Sequence, residues 1–207
     1  MPQTPFARPA FVMASTLSLA LIFALLDELY GATPGILHEG GGVELASATL
    51  YFVGVALRLH LRGLADWQVP VAMLFMGLRE LDFDKAFTSE GVFQLRLYSG
   101  DNPIWEKAIG LVVVIVLLVA LYRLARYQLP AWVRGVLSLR LWAWTFGIAG
   151  FLGVVSKTFD GLARKLEPLG IEISEALSRG TSRTEEALEL WLAILIVQVV
   201  VLAARRD

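Results

Sequence analysis

Long apolar segments set the strongest limit on how this chain can fold. A helix needs about 20 mostly apolar residues to cross the roughly 30 Å hydrocarbon core of a bilayer. Segments of this kind occur at residues 10–30, 44–62, 105–127, 138–157 and 184–204. The composition agrees, because 57% of the 207 residues are hydrophobic, whereas a soluble domain is typically about 45–50% apolar. The sequence therefore predicts a helical integral membrane protein.

A sixth apolar segment, residues 67–79, is shorter and contains Pro70. It fits either a short tilted span or a re-entrant segment, and we favour the span because tilt or local thinning of the bilayer can absorb the mismatch. No linker or low-complexity stretch divides the chain. We expect one integral membrane domain over residues 1–207, an all-α polytopic transmembrane bundle of about six spans.

The polar stretch between the last two spans also has helical periodicity. Its apolar residues recur at helical spacing: Phe159, Leu162, Leu166, Leu169, Ile173 and Leu177. This pattern is typical of an amphipathic helix lying in the membrane interface. We therefore predict an interfacial amphipathic helix near residues 159–178.

The distribution of basic residues predicts the orientation in the membrane. With six spans, both termini, the 60–66 turn and the 123–140 loop lie on one side and carry nine arginines and only two acids. The other side carries the same number of basic residues, but in longer segments and with seventeen acids. Because the positive-inside rule applies best to short loops, we place both termini in the cytoplasm and the protein in the inner (plasma) membrane.

In this orientation, charged residues gather at the outer ends of the spans. They include Asp27, Glu28, His38, Glu44, Arg79, Glu80, Asp82, Asp84, Glu106, Lys107, Lys157, Asp160, Glu185, Glu186 and Glu189. Ionisable groups at membrane depth are costly, and they are candidates for function by default. Two simpler interpretations remain: interfacial charges that face water, and ion pairs that only lock helix to helix.

The cluster suggests specific roles for its members. We predict Glu44, Glu186 and Glu189 as ligands of a hard divalent cation, since oxygen-only sites favour Mg²⁺, Ca²⁺ or Mn²⁺. Further carboxylates would serve as catalytic acid or base groups, and basic side chains would bind a phosphate or carboxylate of the substrate. The predicted catalytic residues are Glu80, Asp82 and Asp160, and the predicted substrate-binding residues are Arg79, Lys157 and His38.

Composition removes several other classes of function. Cysteine is absent and only two histidines occur, so disulfides, thiolate metal sites and multi-histidine metal sites are not expected. The charges almost balance, with 18 basic and 19 acidic residues, which indicates no nucleic-acid partner. No charge lies at mid-depth on any span, which makes an ion transporter or channel within one chain the less favoured interpretation and leaves an oligomeric channel open.

The leading prediction is an integral inner-membrane protein with a carboxylate and arginine site on its outer, periplasmic face. This site would bind a divalent cation and would act on, or bind, lipid headgroups or another outer-face substrate. The alternative is a non-enzymatic accessory or assembly subunit whose charged cluster is an ion-pair network. Membrane lipids are the expected partners, together with another membrane protein or a second copy of the chain. The sequence leaves open whether the protein is an enzyme.

Overall fold

A computed structural model describes residues 9–30, 42–83, 87–170 and 174–205, although the side chains of 23–30 and a few others in these ranges lie outside the description. This part of the chain is helical and contains no strand. The helices are α1 (Pro9–Tyr30), α2 (Gly42–Arg62), α3 (Gln68–Glu80), α4 (Leu95–Ser99), α5 (Ile104–Arg123), α6 (Leu129–Leu137), α7 (Leu141–Phe159), α8 (Leu162–Leu166) and α9 (Glu175–Ala204). The all-α prediction is confirmed.

Among the described residues, three helices are long and apolar enough to cross a membrane: Gly42–Arg62, Ile104–Leu137 and Gly180–Ala204. The described residues therefore support a membrane protein but fewer spans than the six predicted. The 13 residues of α3 cover only about 20 Å. Helix α7 has 19 residues and carries a charged side chain, Lys157, in its last turn. The first predicted span coincides with α1, which has 22 residues.

The loop predicted at 123–140 is wrong, because the chain stays helical through most of it. A π-helical turn, Leu124–Gln128, joins α5 to α6, and the combined helix Ile104–Leu137 has 34 residues. The connecting sequence contains good helix formers, and Pro130 comes two residues after the π-helical turn. Proline and π-helical turns are both common irregularities within long helices. The chain reverses only after α6, where Leu139 adopts a left-handed φ of 52°.

The single interfacial helix predicted near 159–178 is also wrong. Gly161 and Gly170 have left-handed φ values of 58° and 72°, which interrupt a helix. Between them lie only α8 and a 3₁₀ turn, Glu167–Leu169. Residues 171–173 lie outside the described part, and the remainder of the predicted helix is the first turn of α9.

The core lies where α1, α2 and α9 meet. Its buried side chains include Val12, Leu50, Tyr51, Ile194 and Val197. Helix α7 packs on α9, α9 on α2, α2 on α3, and α3 on α5. At Gly54 the helices α2 and α3 come so close that a side chain there would collide with Met73.

This packing gives the bundle two different ends. Helix α2 begins near Glu44 and ends at Arg62, 18 residues later, which is about 27 Å along the helix axis. Helix α3 runs back in the opposite direction, so that Glu80 at its end is close enough to Glu44 for their charges to interact. Each end contains a cavity, one acidic and one basic.

Candidate functional site: an acidic cleft

A cleft of about 470 Å³ lies where α2 begins and where α3 and α7 end. Seven carboxylate side chains and two basic ones line it: Glu44, Arg79, Glu80, Asp82, Lys157, Asp160, Glu185, Glu186 and Glu189. The hydroxyl groups of Ser178, Thr181 and Ser182 complete its polar lining. We call this site the acidic cleft.

Lys157 is the centre of the salt bridges in the acidic cleft. Its Nζ lies 2.9 Å from Glu189 Oε1, 3.3 Å from Asp160 Oδ2 and 3.4 Å from Glu185 Oε1. Glu185 and Glu189 are four residues apart on α9 and therefore share a helix face. Because Lys157 is in the last turn of α7, these bridges join α7 to α9.

Two of the three carboxylates around Lys157 are more buried than the lysine itself, and the third, Asp160, is equally exposed. The Lys157 side chain is 40% exposed, whereas those of Glu185 and Glu189 are 17% and 13% exposed. The ammonium group thus reaches the carboxylates from the solvent side of the cleft. A positively charged ligand approaching from the same side would meet the same oxygens.

Glu80, the last residue of α3, is partly buried in the cleft, and this burial changes its pKa. Burial raises the pKa of Glu80 to about 7, and the neighbouring charge of Glu189 acts in the same direction. Arg79 and Lys157 oppose this rise in pKa. At neutral pH Glu80 is therefore balanced between its protonated and ionised forms, which is the condition a general acid or base requires.

Polar groups continue from the cleft into the bundle along α2. Ser47 and Tyr51 follow Glu44 on the same helix face, and both are 1% exposed. Within the described residues their hydroxyl oxygens have no hydrogen-bond partner, although buried hydroxyls are normally paired. The Tyr51 side chain lies within range of the charges of Glu80 and Glu189. These hydroxyls extend the polar surface inward from the acidic cleft.

Arg79 and Asp82 form the exposed rim of the cleft. Asp82 follows the end of α3 and has a left-handed φ of 47°, a conformation that aspartate tolerates better than most residues. The reversal brings two opposite charges to the opening. A ligand carrying both signs of charge would meet Arg79 and Asp82 first.

The structure brings together eight of the nine side chains predicted as site residues. These are Glu44, Arg79, Glu80, Asp82, Lys157, Asp160, Glu186 and Glu189. His38 and Asp84 lie outside the described residues. The roles assigned to these side chains stay predictions.

Metal binding by Glu44, Glu186 and Glu189 stays a prediction. No group of three or more His, Asp or Glu side chains in the described part of the chain is close enough to hold a metal ion. Glu44, Glu186 and Glu189 line one cleft, but Glu189 binds the Lys157 ammonium. In this structure the positive charge next to Glu189 comes from Lys157.

Some residues of the cleft were missed because the start of the last helix was predicted too late. Helix α9 begins at Glu175, where the side chain of Ser174 accepts a hydrogen bond of 3.3 Å from Leu177 N. Serine is a preferred residue at this position, so it was a usable signal. The extra turns place Ser178, Thr181 and Ser182 in the cleft.

Glu106 has a role that the sequence did not suggest. Its position at the start of a predicted span fits a charge that faces water, yet the residue is only 7% exposed. Its Oε2 accepts hydrogen bonds from Ser89 N at 2.9 Å and Ser89 Oγ at 2.8 Å. Glu106 therefore anchors the segment that precedes α4, and it does not belong to the acidic cleft.

Comparison with known proteins gives no relative. No family model, curated protein or solved structure matches the chain. A fold alone would not determine function in any case. The function is therefore argued from the chemistry of the acidic cleft.

Proposed function

We propose that this protein is an integral inner-membrane protein whose acidic cleft binds a cationic group at the outer face of the membrane. The positive charge would belong to a divalent cation, to a lipid headgroup or to another outer-face substrate. The observation that carries the proposal is the charge of the cleft, where seven carboxylate side chains face two basic ones. Carboxylates held this close repel one another, and a bound cation relieves the repulsion.

Lys157 supports the proposal because it indicates which chemistry the cleft accepts. Three carboxylates converge on its ammonium group at 2.9 to 3.4 Å, and 40% of its side chain stays exposed. Glu80 and Glu186 lie outside these three bridges and line the same cleft. A second cationic group would complement them.

If the bound ligand reacts, Glu80 is the best candidate for proton transfer. A pKa of about 7 matches the requirement for acid or base catalysis near neutral pH. Asp82 and Asp160 line the same cleft and are the other proposed acid or base groups. Arg79 at the rim would hold a phosphate or carboxylate of the substrate.

A second candidate function is that of an accessory subunit, in which the cleft is only an ion-pair network. One observation favours it: the bridges of Lys157 join α7 to α9, as a structural lock would. In addition, only 11% of the most apolar stretch of helix Ile104–Leu137 is buried inside the protein. This helix therefore offers a large surface to lipid or to a partner.

Thermal unfolding in detergent separates the two functions. We would measure the Tm of the wild type and of Glu189→Gln with Mg²⁺, Ca²⁺, Mn²⁺ or ethanolamine, which carries an ammonium group. The matched control is Glu167→Gln, an exposed position outside the cleft. Cation binding predicts a concentration-dependent rise in the wild-type Tm that follows RT ln(1 + [L]/Kd). The rise should shrink in Glu189→Gln and persist in Glu167→Gln.

An ion-pair network predicts a different pattern. The wild type would be indifferent to every cation, and Glu189→Gln would be less stable under all conditions. Breaking a fully buried pair costs about 3–5 kcal/mol. Because Lys157 is 40% exposed and keeps two other carboxylates, we expect a loss of only about 1 kcal/mol after solvent screening. That result would reject the binding function.

A further inference from the structure

The opposite end of the bundle contains a larger cavity of about 810 Å³. Its charged lining consists of four arginines and one aspartate: Arg58, Arg62, Asp66, Arg134 and Arg140. We call it the basic cavity. It shares no lining residue with the acidic cleft.

The walls between these arginines are apolar and aromatic. Trp132, Trp142 and Phe146 line the cavity, and the rings of Trp132 and Phe146 meet edge to face at 6.1 Å. Trp132 Nε1 donates a hydrogen bond of 2.9 Å to the carbonyl oxygen of Ala143. This bond fixes the indole of α6 against α7, so the apolar wall is pre-formed.

The arginines of the basic cavity differ in how many of their hydrogen-bond donors are already bonded to other groups of the protein. Arg58 forms a salt bridge with Asp66, and Arg62 Nη2 donates to Ala203 O at 3.2 Å. Arg134 Nε donates a hydrogen bond of 3.2 Å to Pro130 O. Within the described residues this leaves the hydrogens of both Nη groups for an oxyanion. Arg134 and Arg140 are exposed.

The N-terminus of a helix adds to the positive electrostatic potential of these arginines. Helix α7 begins at Leu141, directly after Arg140. The N-terminus of a helix presents unpaired N–H groups and the positive end of the dipole, which favour phosphate. Arginine binds phosphate through a planar pair of donors. Phosphate recognition and an apolar wall therefore occur in one cavity.

We propose that the basic cavity binds an anionic phospholipid. Its phosphate would lie between Arg134 and Arg140, and its acyl chain would lie along Trp132, Trp142 and Phe146.

Glu44 of the acidic cleft and Arg58 and Arg62 of the basic cavity all lie on α2, about 21–27 Å apart along its axis. The two cavities therefore lie toward opposite interfaces of a bilayer with a hydrocarbon core of about 30 Å. Basic pockets at the cytoplasmic interface suit anionic headgroups, and the arginine-rich end is the one predicted to be cytoplasmic.

Thermal melts of delipidated protein test this proposal. We would add phosphatidylglycerol, phosphatidylcholine or inorganic phosphate to the wild type, to Arg134→Gln/Arg140→Gln and to the charge-matched control Arg96→Gln/Arg183→Gln. Both control positions are exposed and lie outside the basic cavity. Phosphatidylglycerol should raise the Tm of the wild type and of the control. Its apparent affinity should fall about tenfold or more in the cavity variant, since two charge-assisted contacts are lost.

Three results would overturn the proposal. Phosphatidylcholine could stabilise the wild type as well as phosphatidylglycerol does, or the cavity variant could respond like the control. Inorganic phosphate could stabilise as strongly as the lipid, which would identify a free-anion site in which the apolar walls have no role. Should the cavity variant misfold, wild-type protein in nanodiscs gives a second readout. Brominated phosphatidylglycerol should then quench tryptophan fluorescence more than brominated phosphatidylcholine at equal mole fraction, and equal quenching would reject the site.

Discussion

At the scale of single residues, burial decides what the charges of the acidic cleft do. Arg79 and Asp82 at the rim are exposed, and their charges are screened by water. Glu186 is only 6% exposed, and Glu80 is partly buried beside several other carboxylates. The electrostatic cost of holding charges in the cleft therefore falls mainly on its more buried carboxylates, Glu186 and Glu80.

Glu80 leads to a prediction about pH. Its pKa is raised from 4.5 to about 7 in the folded protein, so its stabilising contribution is complete below about pH 4.5 and is lost as pH rises through 7. Glu80→Gln stays neutral at every pH. The variant should therefore have a higher Tm than the wild type at pH 8, and this difference should shrink as the pH falls and vanish below about pH 4.5.

Thermal melts from about pH 4 to 8 check this prediction, with Glu167→Gln as the control for removal of an exposed carboxylate. The control should follow the wild type across the range. A Glu80→Gln profile that runs parallel to the wild type would show that Glu80 does not titrate in this window.

The side chains of the cleft could be grouped from the sequence, but their partners could not. Glu44, Glu80 and Glu189 each stand at an end of an apolar segment, and alternate spans bring such ends to one face. The choice of Lys157 as the common partner depends on helix rotation and on how α7 packs against α9. The spacing of residues along one apolar segment predicts neither the helix rotation nor the packing of α7 against α9.

At the scale of helices, apolar segments were predictable and polar connections were not. The predicted span 44–62 differs from α2, Gly42–Arg62, by only two residues at its start. The errors fall at 124–137, where arginines and Pro130 interrupt a largely apolar stretch, and at 159–170, where polar residues are compatible with either helix or loop. Tertiary packing and the left-handed conformations of Gly161 and Gly170 determine whether these residues form a helix or a loop.

The hairpin of α6 and α7 gives a prediction at this scale. A side chain at Gly135 would collide with the ring of Trp142 and would lie 2.8 Å from Ala143 Cβ, so the two helices need glycine there. Gly135→Ala should lower stability by about 1–3 kcal/mol through overpacking. The matched control is Gly150→Ala on α7, where an added Cβ meets nothing within 4 Å.

In a helix, alanine is more favourable than glycine by about 0.5–1 kcal/mol when space allows. The Tm should therefore fall for Gly135→Ala and stay level or rise for Gly150→Ala. Equal Tm values for the two variants would contradict the close packing of α6 on α7.

At the scale of the whole molecule, an apolar layer separates the acidic cleft from the basic cavity. Leu50, Ile194 and Val197 are at most 2% exposed, and Met73 fills the space beside Gly54. Within the described residues, no charge is carried by the buried polar side chains on the helix segments that form this layer: Thr16, Tyr51 and Gln198. A separated pair of interfacial sites therefore fits the molecule better than an ion pathway through one chain.

The path of α3 through this layer determines the topology, which is the last prediction. The chain beside Asp66 and Val69 lines the basic cavity, and Arg79 and Glu80 line the acidic cleft. The 13 residues of α3 thus connect the two charged ends over about 20 Å. A crossing this short requires the bilayer to thin locally, at a modest cost per ångström. We expect α3 to cross, and segments 63–67 and 88–94 to lie on opposite sides of the membrane.

Reporter fusions or cysteine labelling at these two segments would check the crossing, and the absence of native cysteine makes single-cysteine variants at Gly63 and Phe93 specific. Gly63 should be protected from a membrane-impermeant thiol reagent in intact cells, because the arginine-rich side is expected to be cytoplasmic. Phe93 should be labelled. If both positions react alike, α3 is re-entrant, and the two cavities do not lie at opposite faces of the membrane.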